Sequence, residues 1–427
     1  MRLQLVLVLG LEVCFCIAES SWSFFGSTFS LELNDENELV TNFIKNDDDD
    51  DIDPSVKEDE RLTTTQLITK YGYPAEIHHV ITDDGYILEM HRIPKPGKTP
   101  VLMVHGLLDS SSTWVMMGPD KGFAYMLSDL HYDVWMANVR GNTYSKNHTT
   151  LNPRKAKFWD FSFHEMGIHD IPKSIDYVLE VTGFTKLQYI GHSQGTTCFW
   201  IMCSLLPQYN DKIISMQALA PAAFIEDSKS PVITFLSFFR SQISYLLKII
   251  GAHEFLPNGS FVKYFSQFVC DDDSIVQSIC SQVMFIIVGF DKAQMNHTML
   301  PVILGHSPAG SSTKQLIHFA QLKSSGHFRQ FDHGYIGNWR RYGRFSPPDY
   351  PLENVMAKVA LHYGANDWLT VPKDVDRLDQ ALPNVIGKFL VKFSEFNHLD
   401  FVWGIDAREL LYNKVSKLMK AVEDDYL

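Results

Sequence analysis

The chain is predicted to be an α/β protein: a mainly parallel sheet with helices on both faces and a helical cap inserted into it. Three observations predict this. Short apolar runs alternate with stretches of helical periodicity from Val101 onward. One such run, Leu187-Gln188-Tyr189-Ile190, ends in Gly191-His192-Ser193-Gln194-Gly195, a Gly-x-Ser-x-Gly sequence of the kind that marks a sharp strand-to-helix turn. Between about residues 221 and 340 the composition shifts to clusters of Phe and Ile broken by Gly and Pro, with no repeat. That stretch reads as a helical insertion covering one end of the sheet.

At the N-terminus, Met1-Arg2 precedes an apolar run from Leu3 to Ala18, interrupted by Glu12 and ending in small residues. This is the pattern of a secretory signal peptide over residues 1–18, and the run is too short to span a bilayer comfortably. The formal net charge of −13 is concentrated just beyond it. Glu19 to Glu60 holds 14 acidic and 2 basic residues, whereas the chain from Arg61 onward holds 35 acidic and 34 basic. Residues 19–61 therefore read as a solvated acidic pro-segment or linker. The bare run Asp47 to Asp51 lacks the glycine-punctuated spacing of a calcium loop. A nearly neutral remainder gives no footprint for nucleic acid. Cys198 and Cys203 fall on an apolar helix as buried thiols, while Cys270 and Cys280 flank an acidic loop and are expected to form a disulfide in an exported protein. Sequons at Asn147, Asn258 and Asn296 suit glycosylation on the same route.

Taken in order, Ile77–Thr82 and Tyr86–His91 flank Asp83-Asp84-Gly85 as a β-hairpin. Pro100 to Val104 is continuously apolar, as for a strand buried on both faces, and runs into His105-Gly106-Leu107-Leu108-Asp109. Tyr132–Asn138 is the next strand, leading to Arg140-Gly141-Asn142. His164–Thr182 places Ile168, Ile171, Ile175, Val178 and Leu179 on one helical side. The glycine-flanked turn follows, then a helix over Thr196–Leu206 stopped by Pro207, and a strand over Ile213–Leu219. After the cap, strands are expected over Val355–Tyr363 and Phe389–Phe393, with a closing helix over Ala407–Val422. The core is thus assigned to 62–220 and 341–427, and the cap with its lid to 221–340.

The serine turn carries the chemistry. Gly191 and Gly195 leave room for strand and helix to meet, exposing the Ser193 hydroxyl and aiming the Gln194 backbone N–H at a bound oxyanion. A second oxyanion donor is expected from the backbone N–H of Leu107, at the end of the strand that stops in His-Gly. A nucleophilic serine needs a base, and the base needs an orienting carboxylate. In this architecture the chain order is Ser, acid, His. Asp367 directly follows a strand, whereas Asp374, Asp376 and Asp379 fall in a helical stretch. Of 17 histidines only His398 lies beyond Asp367. His105 and His192 precede the acid and read as structural. Metal-ligand spacings such as His-Glu-x-x-His and phosphate-cradling loops are absent, so no cofactor and no metal are implied.

Tyr71-Gly72-Tyr73-Pro74, Asp84-Gly85-Tyr86-Ile87-Leu88, His105-Gly106-Leu107-Leu108, Arg140-Gly141-Asn142-Thr143-Tyr144-Ser145 and Gly191-His192-Ser193-Gln194-Gly195 together resemble the acid lipase family. Pro308-Ala309-Gly310 resembles the cap of that family. The resemblance runs from about residue 62 to the C-terminus and implies an α/β-hydrolase core with cap and lid. It implies hydrolysis of acylglycerols or steryl esters, with Ser193, Asp367 and His398 as the triad and Leu107 and Gln194 as oxyanion donors. A secreted or lysosomal enzyme that meets a lipid–water interface through its cap is the corresponding expectation, with no transmembrane span. Two departures are visible: the long acidic segment before Arg61, and Val288 where mammalian-type members carry a third cap cysteine. An esterase for small soluble esters, and a catalytically silent lipid-binding homologue, remain the competing readings.

Overall fold

A computed structural model describes residues 54–256, 285 and 287–425. The signal peptide, Asp47–Asp51, the Cys270–Cys280 pair and Asn258 lie outside the described residues.

The sheet path comprises eight strands, β1 (Glu76–Ile81), β2 (Tyr86–Ile93), β3 (Pro100–Val104), β4 (Asp133–Ala137), β5 (Leu187–His192), β6 (Ile213–Leu219), β7 (Val359–Tyr363) and β8 (Val385–Leu390). They lie side by side in the order β1-β2-β4-β3-β5-β6-β7-β8, and Asn147–His148 pairs with β2 off this path. The hairpin β1–β2 and the pair β2–β4 are antiparallel. All other neighbours on the path are parallel. Parallel strands need crossovers, and the crossovers put helices on both faces. Val101 and Met103 therefore point into one apolar layer, Leu102 and Val104 into the other, and β3 is apolar at every position.

One layer is built with α1 (Thr64–Lys70), α2 (Phe123–Asp129) and the C-terminal helix Asn413–Asp424. The other is built with α3 (Ile171–Thr182) and α4 (Gln194–Leu205). Helix α3 is entered through a π-turn at Met166–Asp170 and stopped by Gly183 in the left-handed region at φ 73°. The insertion between β6 and β7 includes α5 (Pro231–Phe238), α6 (Arg240–Ile250), α7 (Leu300–His306), α8 (Thr313–Ser325) and α9 (Gly334–Tyr342). Helix α10 (Pro372–Ala381) connects β7 to β8.

Two sequence expectations shift. The acidic segment does not run unstructured to residue 61: Pro54–Asp59 is helical, and the Asp59 carboxylate is fully buried. It is held by Lys70 Nζ at 2.7 Å and by the Tyr71 hydroxyl, while His306 Nε2 donates to the Asp59 carbonyl at 2.9 Å. An aspartate with those partners belongs to the folded body, whatever the charge of its neighbours. The last strand is Val385–Leu390, not Phe389–Phe393.

Candidate active site

The strand register brings the serine turn and the His-Gly loop together. Val104 of β3 is paired with Gly191 of β5, and His192 with Leu219 of β6, which in turn pairs with His362 of β7. The loops leaving β3, β5, β6 and β7 therefore open along one edge of the sheet, at the carboxyl ends of its strands.

The turn at Ser193 is forced by close approach. A Cβ on Gly195 would lie 2.2 Å from the Val104 carbonyl oxygen, and one on Gly191 would lie 2.8 Å from the Gly195 carbonyl carbon. Both contacts are with backbone, which cannot swing away. Ser193 itself sits at φ 51°, ψ −115°. Leu108 (φ 63°) and Ala220 (φ 51°) share the left-handed region on neighbouring loops of the same edge. Conformations of this kind cost on the order of 1–3 kcal/mol each and persist only where surrounding contacts impose them.

Ser193 Oγ lies 2.8 Å from His398 Nε2, and His398 Nδ1 lies 2.8 Å from Asp367 Oδ2. The three residues, widely separated in sequence, form one chain of hydrogen bonds. Carboxylates only accept, so Nδ1 carries the proton toward Asp367 and Nε2 is left to accept from the serine hydroxyl. Asp367 is buried and fully engaged. Its Oδ1 accepts from the Leu369 and Thr370 amides at 2.8 Å each, and its Oδ2 also accepts from Thr370 Oγ1 at 2.6 Å. Burial alone would push this carboxyl up, but His398 and the Thr370 donors outweigh it and hold Asp367 below the usual carboxylate range.

The other residues expected at the site are close by. Gly106 packs against the elbow, where a Cβ would stand 3.4 Å from Ser193 Cβ. His105 Nδ1–H donates to the Gly106 carbonyl at 2.8 Å, pinning the peptide unit that carries the Leu107 N–H. His105 Nε2 accepts from the Val139 amide and from Asn142 Nδ2. The Gln194 N–H heads α4, where the helix supplies no partner. His192 Nε2–H donates to the His398 carbonyl at 3.0 Å. Burial pushes His105 down to about 4; burial, then the neighbouring His398, pushes His192 down to about 3. Both are neutral struts, as their position ahead of the acid suggested.

Several supporting residues were not singled out from the sequence. Thr370 directly follows the Asx turn that Asp367 makes with the Leu369 amide, and was readable in principle. The stretch Val288–Phe290 was not: its carbonyls accept from the Trp368 amide, Asn397 Nδ2 and Asn366 Nδ2, bracketing both the Asp367 and His398 loops. Just beyond it, Asp291 meets Asp400 carboxyl to carboxyl, a contact that needs a shared proton. Burial, with Glu395 adding like charge, raises Asp291 above the usual range; burial, with Asp291 adding like charge, raises Asp400 to about 9. Among the described residues no group of three or more His, Cys, Asp or Glu side chains is placed to hold a metal ion. Cys198 and Cys203 are buried free thiols. Asn147 is exposed, and half-buried Asn296 caps a short 3₁₀ turn by accepting from the Met299 amide at 3.3 Å.

Residues 99–405 match a family described as alpha/beta hydrolase fold, and residues 64–118 match a partial alpha/beta-hydrolase lipase region. The chain is 43% identical over 427 residues to "Lipase 1" of Drosophila melanogaster, covering 99% of this chain and 94% of that protein. It is 37% identical over 367 residues to gastric triacylglycerol lipase of Homo sapiens, covering 84% and 91%. The chain belongs to the acid lipase family. This acid lipase is a carboxylic ester hydrolase with the α/β-hydrolase fold. Among solved structures, a putative lipase from Sulfolobus solfataricus superposes with a TM-score of 0.56 at 12% identity, covering 81% of this chain and 94% of that one, a likeness of fold.

Proposed function

We propose that this acid lipase hydrolyses lipid esters, triacylglycerols or steryl esters, through a Ser193–His398–Asp367 triad and an acyl-enzyme. The pair of 2.8 Å contacts that link the three side chains supports this most directly. Ser193 Oγ attacks the ester carbonyl carbon while its proton passes to His398 Nε2. The oxyanion is received by the Leu107 and Gln194 backbone N–H groups. On collapse the ester C–O bond breaks and the alcohol leaves with the proton from Nε2. Water then repeats the sequence on the acyl-enzyme and releases the fatty acid. Asp367 keeps the imidazole in the required tautomer and balances its charge.

The lipid substrate is favoured by the similarity to Lipase 1 of Drosophila melanogaster and gastric triacylglycerol lipase of Homo sapiens and by the insertion's surface. Phe238, Tyr245 and Ile249 on α5 and α6, and Tyr335, Ile336 and Trp339 on α9, are exposed. Apolar surface of this kind fits a cap that meets a lipid–water interface. No described helix is long and apolar enough to cross a membrane. The apolar N-terminal run and the sequons support an export route, secreted or lysosomal. Emulsified triolein and a short soluble ester should both be turned over, with the emulsion preferred, and Ser193→Ala should abolish both activities without lowering Tm. Preference for the short ester would replace the lipase reading with a soluble esterase, and Ser193→Ala with near-normal rates would remove the triad.

A further inference from the structure

The two proposed oxyanion donors belong to different elements. The Leu107 amide lies in the loop after β3, and the Gln194 amide heads α4. Their spacing sets the size of the hole, so the two elements must be held in register. One stretch of the insertion, Ser307 to Gln315, touches both. On the β3 side, Ser307 Oγ donates to Asp109 Oδ1 at 3.2 Å and the Ala309 amide donates to the Leu108 carbonyl at 2.6 Å. The Ala309 carbonyl is in turn fixed by the Thr143 amide at 2.8 Å and by Thr143 Oγ1 at 3.1 Å. On the α4 side, Gln315 Nε2–H donates to Gln194 Oε1 at 2.8 Å. Between them, Ser312 Oγ donates to the Trp159 carbonyl at 2.7 Å.

Gln315 is wired in one direction only. Its Oε1 accepts from Ser311 Oγ at 2.7 Å and from the Ser312 amide at 3.0 Å, forming the capping box of α8. Those donors leave only its amide nitrogen to face Gln194, whose own Nε2 is turned to Met166 Sδ at 3.6 Å. Gln194 and Gln315 are each about 2% exposed or less. A buried side-chain amide held at both ends fixes the residue that carries it.

We infer that Gln315 is a positioning residue for the oxyanion hole: through Gln194 it sets the α4 donor against the Leu107 donor, using a strap that is anchored on the β3 loop at Ala309 and Ser307. The cap thus completes the catalytic geometry as well as covering it. This inference rests on the triad reading above.

Gln315→Glu keeps the capping-box acceptor and removes the N–H donors given to Gln194 and, at 3.7 Å, to Met166 Sδ, facing oxygen against oxygen at Gln194 while the introduced carboxyl is ionised. Gln315→Met removes the same bond without charge, and the capping-box acceptor with it. Displacing a donor costs up to about 100-fold, so kcat should fall about 10- to 100-fold in both, with KM little changed. Phosphonylation by a fluorophosphonate should slow in parallel. The Q315E deficit should shrink at acid pH, where the protonated carboxyl again donates, and the Q315M deficit relative to the parent should not. A kcat within about twofold of the parent in both variants, a change confined to KM, or a Q315E deficit indifferent to pH would overturn the inference. If Q315E does not fold, Q315M decides it. Ser193→Ala run alongside separates the two levels: turnover surviving in S193A sinks the triad reading itself, whereas an inactive S193A beside fully active Gln315 variants sinks this inference alone.

Discussion

Gly195 is where sequence, backbone and chemistry meet most tightly. Its missing side chain lets α4 begin against β3, at a point where a Cβ would stand 2.2 Å from the Val104 carbonyl oxygen. Gly195→Ala must therefore push the elbow away from β3, carrying the Ser193 hydroxyl and the Gln194 amide with it. We expect a stability loss of about 1–3 kcal/mol by overpacking and a fall in ester turnover of about 100-fold; a folded variant with parental turnover would show that the approach is not needed. The Gly-x-Ser-x-Gly spacing was legible because two close backbone contacts, at Gly191 and Gly195, dictate it. Asp367 and His398 were legible because chain order left one histidine after the acid. Gln315 and the Asp291–Asp400 pair were not, since their importance depends on which distant segment folds back onto them. The Ser312-to-Gln315 spacing does announce a capping box, but nothing in it says that the amide reaches Gln194.

At the scale of elements, a strand was readable where burial on both faces made it apolar throughout, as in β3 and β6. Strand β8 is at the edge and alternates between half-buried and exposed positions, so its sequence carries a weaker signal. Val391 and Phe393, which suggested a strand further on, instead pack into an apolar layer after the strand has ended. The helix expected over His164–Thr182 is present as a succession of an α-turn, a π-turn and α3. Period-3.6 patterning finds such a helix but is blind to the extra residue in the π-turn. Arg140 illustrates what joins the elements: its guanidinium is buried over the Tyr86 ring and bonded to both Asp84 and Asp170. The run Arg140-Gly141-Asn142 marked the end of a strand in the sequence, but its role as a tie between the β1–β2 turn and the start of α3 emerges only from the fold.

For the molecule as a whole, buried titratable groups set how stability follows pH. His105 is held down to about 4, and His192, His318 and His362 to about 3, by burial. Unfolded histidine titrates near 6.5, so the unfolded chain takes up more protons at these sites as pH falls below that value, and stability drops. Asp109 and Asp374, pushed up by burial to about 6, work in the opposite sense between about 4 and 6. The Asp291–Asp400 pair, with Glu395 and Asp367 adding like charge, keeps its shared proton above the ordinary carboxylate range. Its contribution is complete below the unfolded pKa and is lost as pH rises through the folded one. Tm should therefore peak near neutrality, and Asp400→Asn, which supplies a permanent N–H to Asp291, should flatten the alkaline fall; equal falls in parent and variant would remove the pair from the account. The enzyme's chemistry is tested most directly by trapping the nucleophile. After treatment with a fluorophosphonate and proteolysis, mass spectrometry should find one adduct per chain, on Ser193, with ester turnover lost in proportion to labelling; an adduct elsewhere, or full turnover from a fully labelled chain, would contradict the account.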